Sequence, residues 1–452
     1  MKGARNLNMT QGNPSRLLLG FAIPMLIGNL FQQVYSLTDS VIVGQFLGSD
    51  ALAAVGSTGS VTFLFFSICN GIGSGAGIVT AQYFGAGLFD RTKRAIANAA
   101  YIMLVASVVM GVAAFFAAPL LLGVMGVPEK LMPDATTYMR MSCIGVPLVA
   151  VYNYSSSMLR SLGDSRSPLY FLIFSCFLNI VLDLLFVYVL HMGVFGAALA
   201  TIIAQMISGV GCLLYALKHN PYFHLTREDL RPDGGIIRQA VRLGLPMALQ
   251  WSLISVSSTA LQTYVNSFGP EAMAAFTATN RIEQLIHMPY GSISAALATY
   301  SGQNFGAHDM KRVKEGLRHG MLISAVFTVL MMVMYQLLNE PIMRLFVKEE
   351  PVILIGAEAL KLTSWFYIFL AVIYMSRGVL NGVGDAMFAL INGVVEVICR
   401  IAIPIALVAM IPGLDRMGIW WTTVITWIIS AGFCMLRYVA WRKKADFSKS
   451  VV

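Results

Sequence analysis

The sequence predicts an all-α polytopic membrane protein: twelve transmembrane helices in two pseudo-symmetric six-helix bundles. Composition, a series of apolar runs and an internal repeat predict it. Of 452 residues, 57% are hydrophobic and only 12% charged, and mean hydropathy is +0.72. A soluble domain runs at roughly 45–50% apolar and about 25% charged. A soluble chain of this size could not cover itself with so few charges. This excludes a nucleic-acid-binding protein, a disordered hub and an ordinary cytosolic enzyme.

A bilayer core of about 30 Å needs roughly 20 apolar residues per helix. The first run, 16–43, follows a polar, basic N-terminus without a small-residue cleavage site, so it reads as an uncleaved first span. Runs two to six follow at 52–80, 95–121, 136–160, 168–190 and 194–217. A polar loop, 218–239, separates them from runs seven to twelve: 240–268, 273–300, 316–338, 360–383, 388–411 and 418–440. The expected organisation is therefore an N-terminal bundle 1–217, a linker 218–239, a C-terminal bundle 240–441 and a basic tail 442–452. An even span count puts both termini on one side. That side carries twenty-three of the 31 Lys and Arg residues, the other carries seven, and Arg400 lies within a helix. By the positive-inside rule the rich side is cytoplasmic, and the net charge of +9 is mainly an orientation signal. The expected location is the cell membrane, with lipid as a neighbour and no nucleic-acid partner.

Gln82-Tyr83-Phe84-Gly85-Ala86 returns 221 residues later as Gln303-Asn304-Phe305-Gly306-Ala307. At the same offset Arg91 meets Arg312, Lys93 meets Lys314, and Gly163-Asp164 meets Gly384-Asp385. Pro24 and Pro246 match with a one-residue slip. Each half has an even number of spans, so the halves are parallel repeats, a known transporter plan that places substrate between them near the midplane.

Ionisable groups inside a span cost at least about 2.5–3.5 kcal/mol each at the centre, so they are functional candidates by default. Asp39 lies in span one and Asp183 in span five, with Asn179 one helical turn before Asp183 and Thr201 in span six. Helix rise places the three spans' groups in the outer half of the membrane. Two carboxylates, an amide oxygen and a hydroxyl at one depth suit a hard monovalent cation, or a proton trapped between two acids that resist joint ionisation. At an offset of 221 Asp39, Asn179 and Asp183 become Ala260, Arg400 and Pro404, and at 222 Leu261, Ile401 and Ile405, so in either register one half alone keeps the acids. The second half instead carries Arg281, Glu283, Gln284 and His287 in span eight, and Glu396 with Arg400 a turn apart in span eleven. These read as an ion pair within or between helices, or as a substrate or second proton site. Gln33, Tyr35, Asn153 and Gln250 join them as candidate substrate contacts. The six cysteines fall in apolar stretches without metal-ligand spacing and read as small buried residues. The glycine-rich Gly71–Gly77 lacks the strand and Lys-Ser/Thr of a phosphate loop and reads as close helix packing. No zincin motif, Ser/His pair at matched depth or catalytic cysteine argues for an enzyme.

Several motifs, in order, carry a family resemblance. They are Pro24 followed by Asp39, the two Gln-x-Phe-Gly-Ala copies, Leu159-Arg160-Ser161-Leu162-Gly163-Asp164, Asn179-Ile180-Val181-Leu182-Asp183, and Gly196-Ala197-Ala198-Leu199-Ala200-Thr201. With them the sequence resembles the multidrug and toxic compound extrusion family over nearly its whole length, and its Asn-x-x-x-Asp resembles the DNA-damage-inducible protein F-like branch. The resemblance implies a cation site of Asp39, Asn179, Asp183 and Thr201 with the Ala197 carbonyl, which are the metal ligands if the ion is sodium. It implies a cation-coupled antiporter, driven by H⁺ or Na⁺ with no other cofactor, that exports amphipathic, cationic small molecules and functions as a monomer. Another branch uses acids in spans seven and ten; here span seven has none, nor does the membrane part of span ten. Pro24 removes one rung of the span-one ladder and is the expected hinge. The alternative cargo is a lipid-linked or polysaccharide molecule, moved by superfamily relatives that usually have fourteen spans.

Overall fold

The computed structural model describes residues 7–410 and 415–450. Residues 1–6 of the expected first bundle, residue 411 of span eleven and residues 451–452 of the tail lie outside the described residues.

Apolar side chains with few helix breakers give long helices throughout. In order these are α1 (Pro14–Leu47), α2 (Ser49–Gly85), α3 (Phe89–Val124), α4 (Met132–Ser161), α5 (Arg166–Asp183), α6 (Gly193–His219), α7 (Gly234–Asn266), α8 (Pro270–Gly306), α9 (Met310–Arg344), α10 (Glu350–Ser364), α11 (Tyr367–Gly382), α12 (Ala386–Met410) and α13 (Gly418–Ser450). The thirteen described helices make twelve rods, because α10 and α11 form a pair bent by 55°. The sequence predicts one span there, 360–383; instead the rod begins at Glu350 and breaks after Ser364. Most helices exceed the predicted runs because their polar ends continue beyond the apolar stretch. At 1.5 Å per residue, the 34 residues of α1 make about 51 Å. The basic tail from Arg442 continues α13.

Among the described residues, seven helices contain a stretch long and apolar enough to cross a membrane, and the bent pair is an eighth. Helices α4, α7 and α8 are as long but more polar in their interiors. Helix α8, for example, carries Thr279, Asn280, Arg281, Glu283, Gln284 and His287 in its interior.

The chain divides into two compact units, one of Met1–Met9 and Ile23–Ala248 and the other of Thr10–Ala22 and Leu249–Val452. Both boundaries inside helices fall close to the repeated prolines Pro24 and Pro246. Helix α1 nevertheless runs unbroken through Pro24. A single missing N–H does not stop a helix whose neighbouring rungs remain.

Within the units the repeat is visible in the backbone. Adding 221 to the bounds of α2 reproduces those of α8. Gly48 before α2 has φ 89 and ψ 178, and Gly269 before α8 has φ 87 and ψ 178, a conformation that side-chain-bearing residues seldom adopt. In the first unit α4 packs on α2, α3 and α6; in the second, α11 packs on α8, α9 and α13. The glycine-rich stretch is a packing surface. A Cβ on Gly71 would lie 2.5 Å from the Ala248 backbone, and one on Gly75 would overlap Gly244 N. Helices α2 and α7 therefore meet backbone to backbone there. All six cysteines are buried and free.

Candidate cation site

Three helices of the first unit bring the predicted acid group together. Helix α1 supplies Tyr35 and Asp39, α5 supplies Asn179 and Asp183, and α6 supplies Ala197 and Thr201. Asn179, Asp183 and Ala197 are fully buried. The Asp39 and Asp183 carboxyls lie within hydrogen-bonding reach of each other.

The hydrogen bonds are unevenly distributed. Thr201 Oγ1 accepts from Tyr35 Oη at 3.1 Å and from Asn179 Nδ2 at 3.4 Å. A hydroxyl has two lone pairs, so both are in use. By contrast Asp39 Oδ1, Asn179 Oδ1 and both oxygens of Asp183 are buried and receive no hydrogen bond. Four buried acceptor oxygens on α1 and α5 thus lack a hydrogen bond. Their all-oxygen chemistry suits a proton or a hard cation. Among the described residues, no group of three or more His, Cys, Asp or Glu side chains gathers as a metal centre. Ala197 lies in an apolar cluster with Ile42, Val43, Ala51, Val187 and Val194, with Tyr138 packed against it. Ala197 is inside α6, where helix geometry directs its carbonyl to the Thr201 N–H.

A local feature fixes Asp183. The α-helical part of α5 ends at this residue and a π-helical turn, Leu184–Val189, follows. Leu190 N donates to Leu185 O at 2.9 Å, five residues back. Such wide turns are often found at functional sites. Gly196 lets α6 approach it, since a Cβ there would stand 3.1 Å from Phe186 Cβ. An uninterrupted apolar sequence gave no sign of the π turn. Tyr35, expected among the candidate substrate contacts, stands beside Thr201. Tyr138 was not foreseen, although its electrostatic coupling to both acids places it beside them.

The remaining candidates are dispersed. Gln33 on α1 is exposed and Asn153 on α4 partly buried. On α8, Arg281 and Gln284 are exposed, while Glu283 is 7% exposed. His287 Nδ1 lies 3.0 Å from Tyr374 Oη, a hydrogen bond within the second unit. Of the readings the sequence leaves open, Glu396 forms an ion pair between helices: its Oε1 accepts from Arg377 Nη2 at 2.9 Å. It also accepts from Asn392 Nδ2 (3.0 Å) and Ser430 Oγ (3.2 Å). With its amide oxygen facing the guanidinium, Gln250 accepts from Arg377 Nε (2.9 Å) and Nη1 (2.7 Å). Arg377 falls inside the predicted span 360–383 yet groups by sequence with the cytoplasmic cations; the structure places it within α11. Arg400 donates instead to Ser258 Oγ at 3.4 Å.

The family model named MatE matches residues 24–185 and 246–405, one stretch in each repeat. A relative described as probable multidrug resistance protein YpnP of Bacillus subtilis is 30% identical over 391 residues, covering 86% of this chain and 87% of its own. A relative described as an FAD transporter of Shewanella oneidensis is 26% identical over 75% of each chain. A crystal structure of a MATE protein in the bent conformation superposes with a TM-score of 0.88 at 25% identity, covering 98% of this chain and all of that one.

Proposed function

Because this chain belongs to the MatE family of membrane transporters, we propose that it is a cation-coupled multidrug exporter whose coupling site is the Asp39–Asp183 pair. The observation that carries this reading is the set of four buried oxygens with no donor. Two acids in reach of each other bind one positive charge strongly and resist a state without it.

The coupling ion we infer is the proton. Thr201 Oγ1 already accepts two hydrogen bonds and offers no lone pair to a metal ion in this conformation. A proton shared by Asp39 and Asp183 needs no third ligand. Coupling then requires that proton and cargo have different affinities for two states of the transporter. Protonation from outside would favour the state that releases cargo, and deprotonation inside would reset it. The mobile element is α1, whose proline lies near the boundary between units. The protein acts as a monomer in the cell membrane with both termini cytoplasmic.

The cargo is amphipathic and cationic, in line with the name of the Bacillus relative as a multidrug resistance protein. The name of the Shewanella relative adds FAD as a cargo to assay beside it. The test is efflux of a fluorescent cationic dye from vesicles under a pH gradient or a sodium gradient imposed separately. The pH gradient alone should drive efflux. Efflux driven only by sodium would overturn the proton reading.

A further inference from the structure

The second unit contains a buried acid that the mechanism above does not use. Glu283 lies roughly 20 Å along α8 from Pro270 and is 7% exposed. It lies beside Thr363 of α10, and its Oε1 is buried without a partner. Thr363 Oγ1 in turn lies 3.4 Å from Tyr367 Oη. The surrounding wall is apolar, with Ile282, Ile286 and Leu360 in one buried cluster.

Every packed element presents a group to this acid. Tyr335 comes from α9, Tyr367 from α11 and Arg400 from α12, all in electrostatic contact with Glu283. His287, one turn along α8, is coupled to Arg400 and Glu396 and bound to Tyr374. Arg400 directs Nη1 to Ser258, and its Nε is buried without a partner. At the repeat offset Arg400 stands where the first unit has Asn179. The second unit therefore holds a tethered guanidinium at the place where the first gathers oxygens around a mobile charge.

A buried carboxylate with an unmatched oxygen is stabilised by gaining a proton. A sodium ion would need several oxygen ligands, and beside this single carboxyl it would also meet the positive charge of Arg400. We propose that Glu283 is a second proton-binding group and that Arg400 restricts it to protons by excluding metal cations. Its part in transport rests on the reading of the chain as a cation-coupled exporter; proton binding itself does not.

Infrared difference spectroscopy of the full-length protein in lipid, titrated from acid to alkaline pH, tests this. In an Asp39→Asn/Asp183→Asn background a protonated-carboxyl C=O band should still titrate. Glu283→Gln should abolish it, and Glu283→Asp should retain it at a shifted midpoint. Replacing potassium with sodium should leave the band unchanged, whereas in Arg400→Gln sodium should diminish it. A spectrum unaltered by both Glu283 substitutions, or sodium sensitivity with Arg400 intact, would overturn the proposal. If the band behaves as expected but the wild type exports nothing, only the transport reading fails.

Discussion

Tyr35 on α1 donates its hydroxyl to Thr201 Oγ1 on α6 across 3.1 Å, filling one of the two lone pairs of a predicted cation ligand. The Asn179 amide fills the other. Removing the tyrosine hydroxyl frees a ligand without removing a carboxyl. Tyr35→Phe should therefore strengthen sodium binding about fivefold, since one hydrogen bond is worth about 1 kcal/mol. Calorimetric titration with sodium measures this. Unchanged or weaker binding would show that the bond does not compete with a metal ion.

The contact of α2 with α7 depends on the absence of side chains. Gly75→Ala should lower stability by about 1–3 kcal/mol, because the new methyl meets backbone that cannot rotate away. Gly56→Ala on the same helix is the control, since a Cβ there meets nothing within 4 Å. It should be neutral, or stabilising by up to about 1 kcal/mol through helix propensity. Thermal unfolding in detergent separates the two. Equal midpoints would contradict the close packing.

The sequence made these helices legible because apolar length and a repeated polar motif are one-dimensional signals. The identities of the site acids were legible for the same reason: a carboxylate inside an apolar run is conspicuous. Other features depend on three-dimensional placement. The π turn after Asp183 changes hydrogen-bond register without any Gly or Pro to announce it. Arg377 stands inside an apolar span, and only the packing of α11 shows which carboxylate it meets. An ion pair at Glu396 is suggested by its place inside a span, but which helix supplies the cation is not, and Arg377 of another helix does.

That Arg377–Glu396 pair is nearly buried, with 11% and 14% of the two side chains exposed. Removing one partner leaves the other charged and unmatched. Arg377→Met or Glu396→Leu should each cost about 3–5 kcal/mol, and the Arg377→Met/Glu396→Leu double variant should recover much of that loss. Unfolding midpoints of the four proteins form the cycle. Additive losses in the double variant would show that the two residues act separately.

The loop between α6 and α7 has its own pH dependence. Burial pushes the Asp229 carboxyl up, but donation from Thr226 N and Oγ1, both at 2.8 Å, outweighs it with help from Lys93 and Arg94. The net result is a pKa below the ordinary carboxylate value. A depressed folded-state pKa means stability that is present above the unfolded value, about 3.9, and lost as pH falls through the folded one. The stability difference between wild type and Asp229→Asn should therefore be constant above about pH 5 and shrink below about pH 4. A difference that grows on acidification would reverse the sign.

The coupling role of Asp39 and Asp183 is tested most directly by proton movement during cargo transport. Purified protein is placed in liposomes containing a pH-reporting dye, and cationic cargo is added while internal pH is followed. The wild type should move protons opposite to cargo. Asp39→Asn should move neither, while remaining folded with an unchanged elution profile. Cargo-driven proton movement that persists in Asp39→Asn would contradict the account.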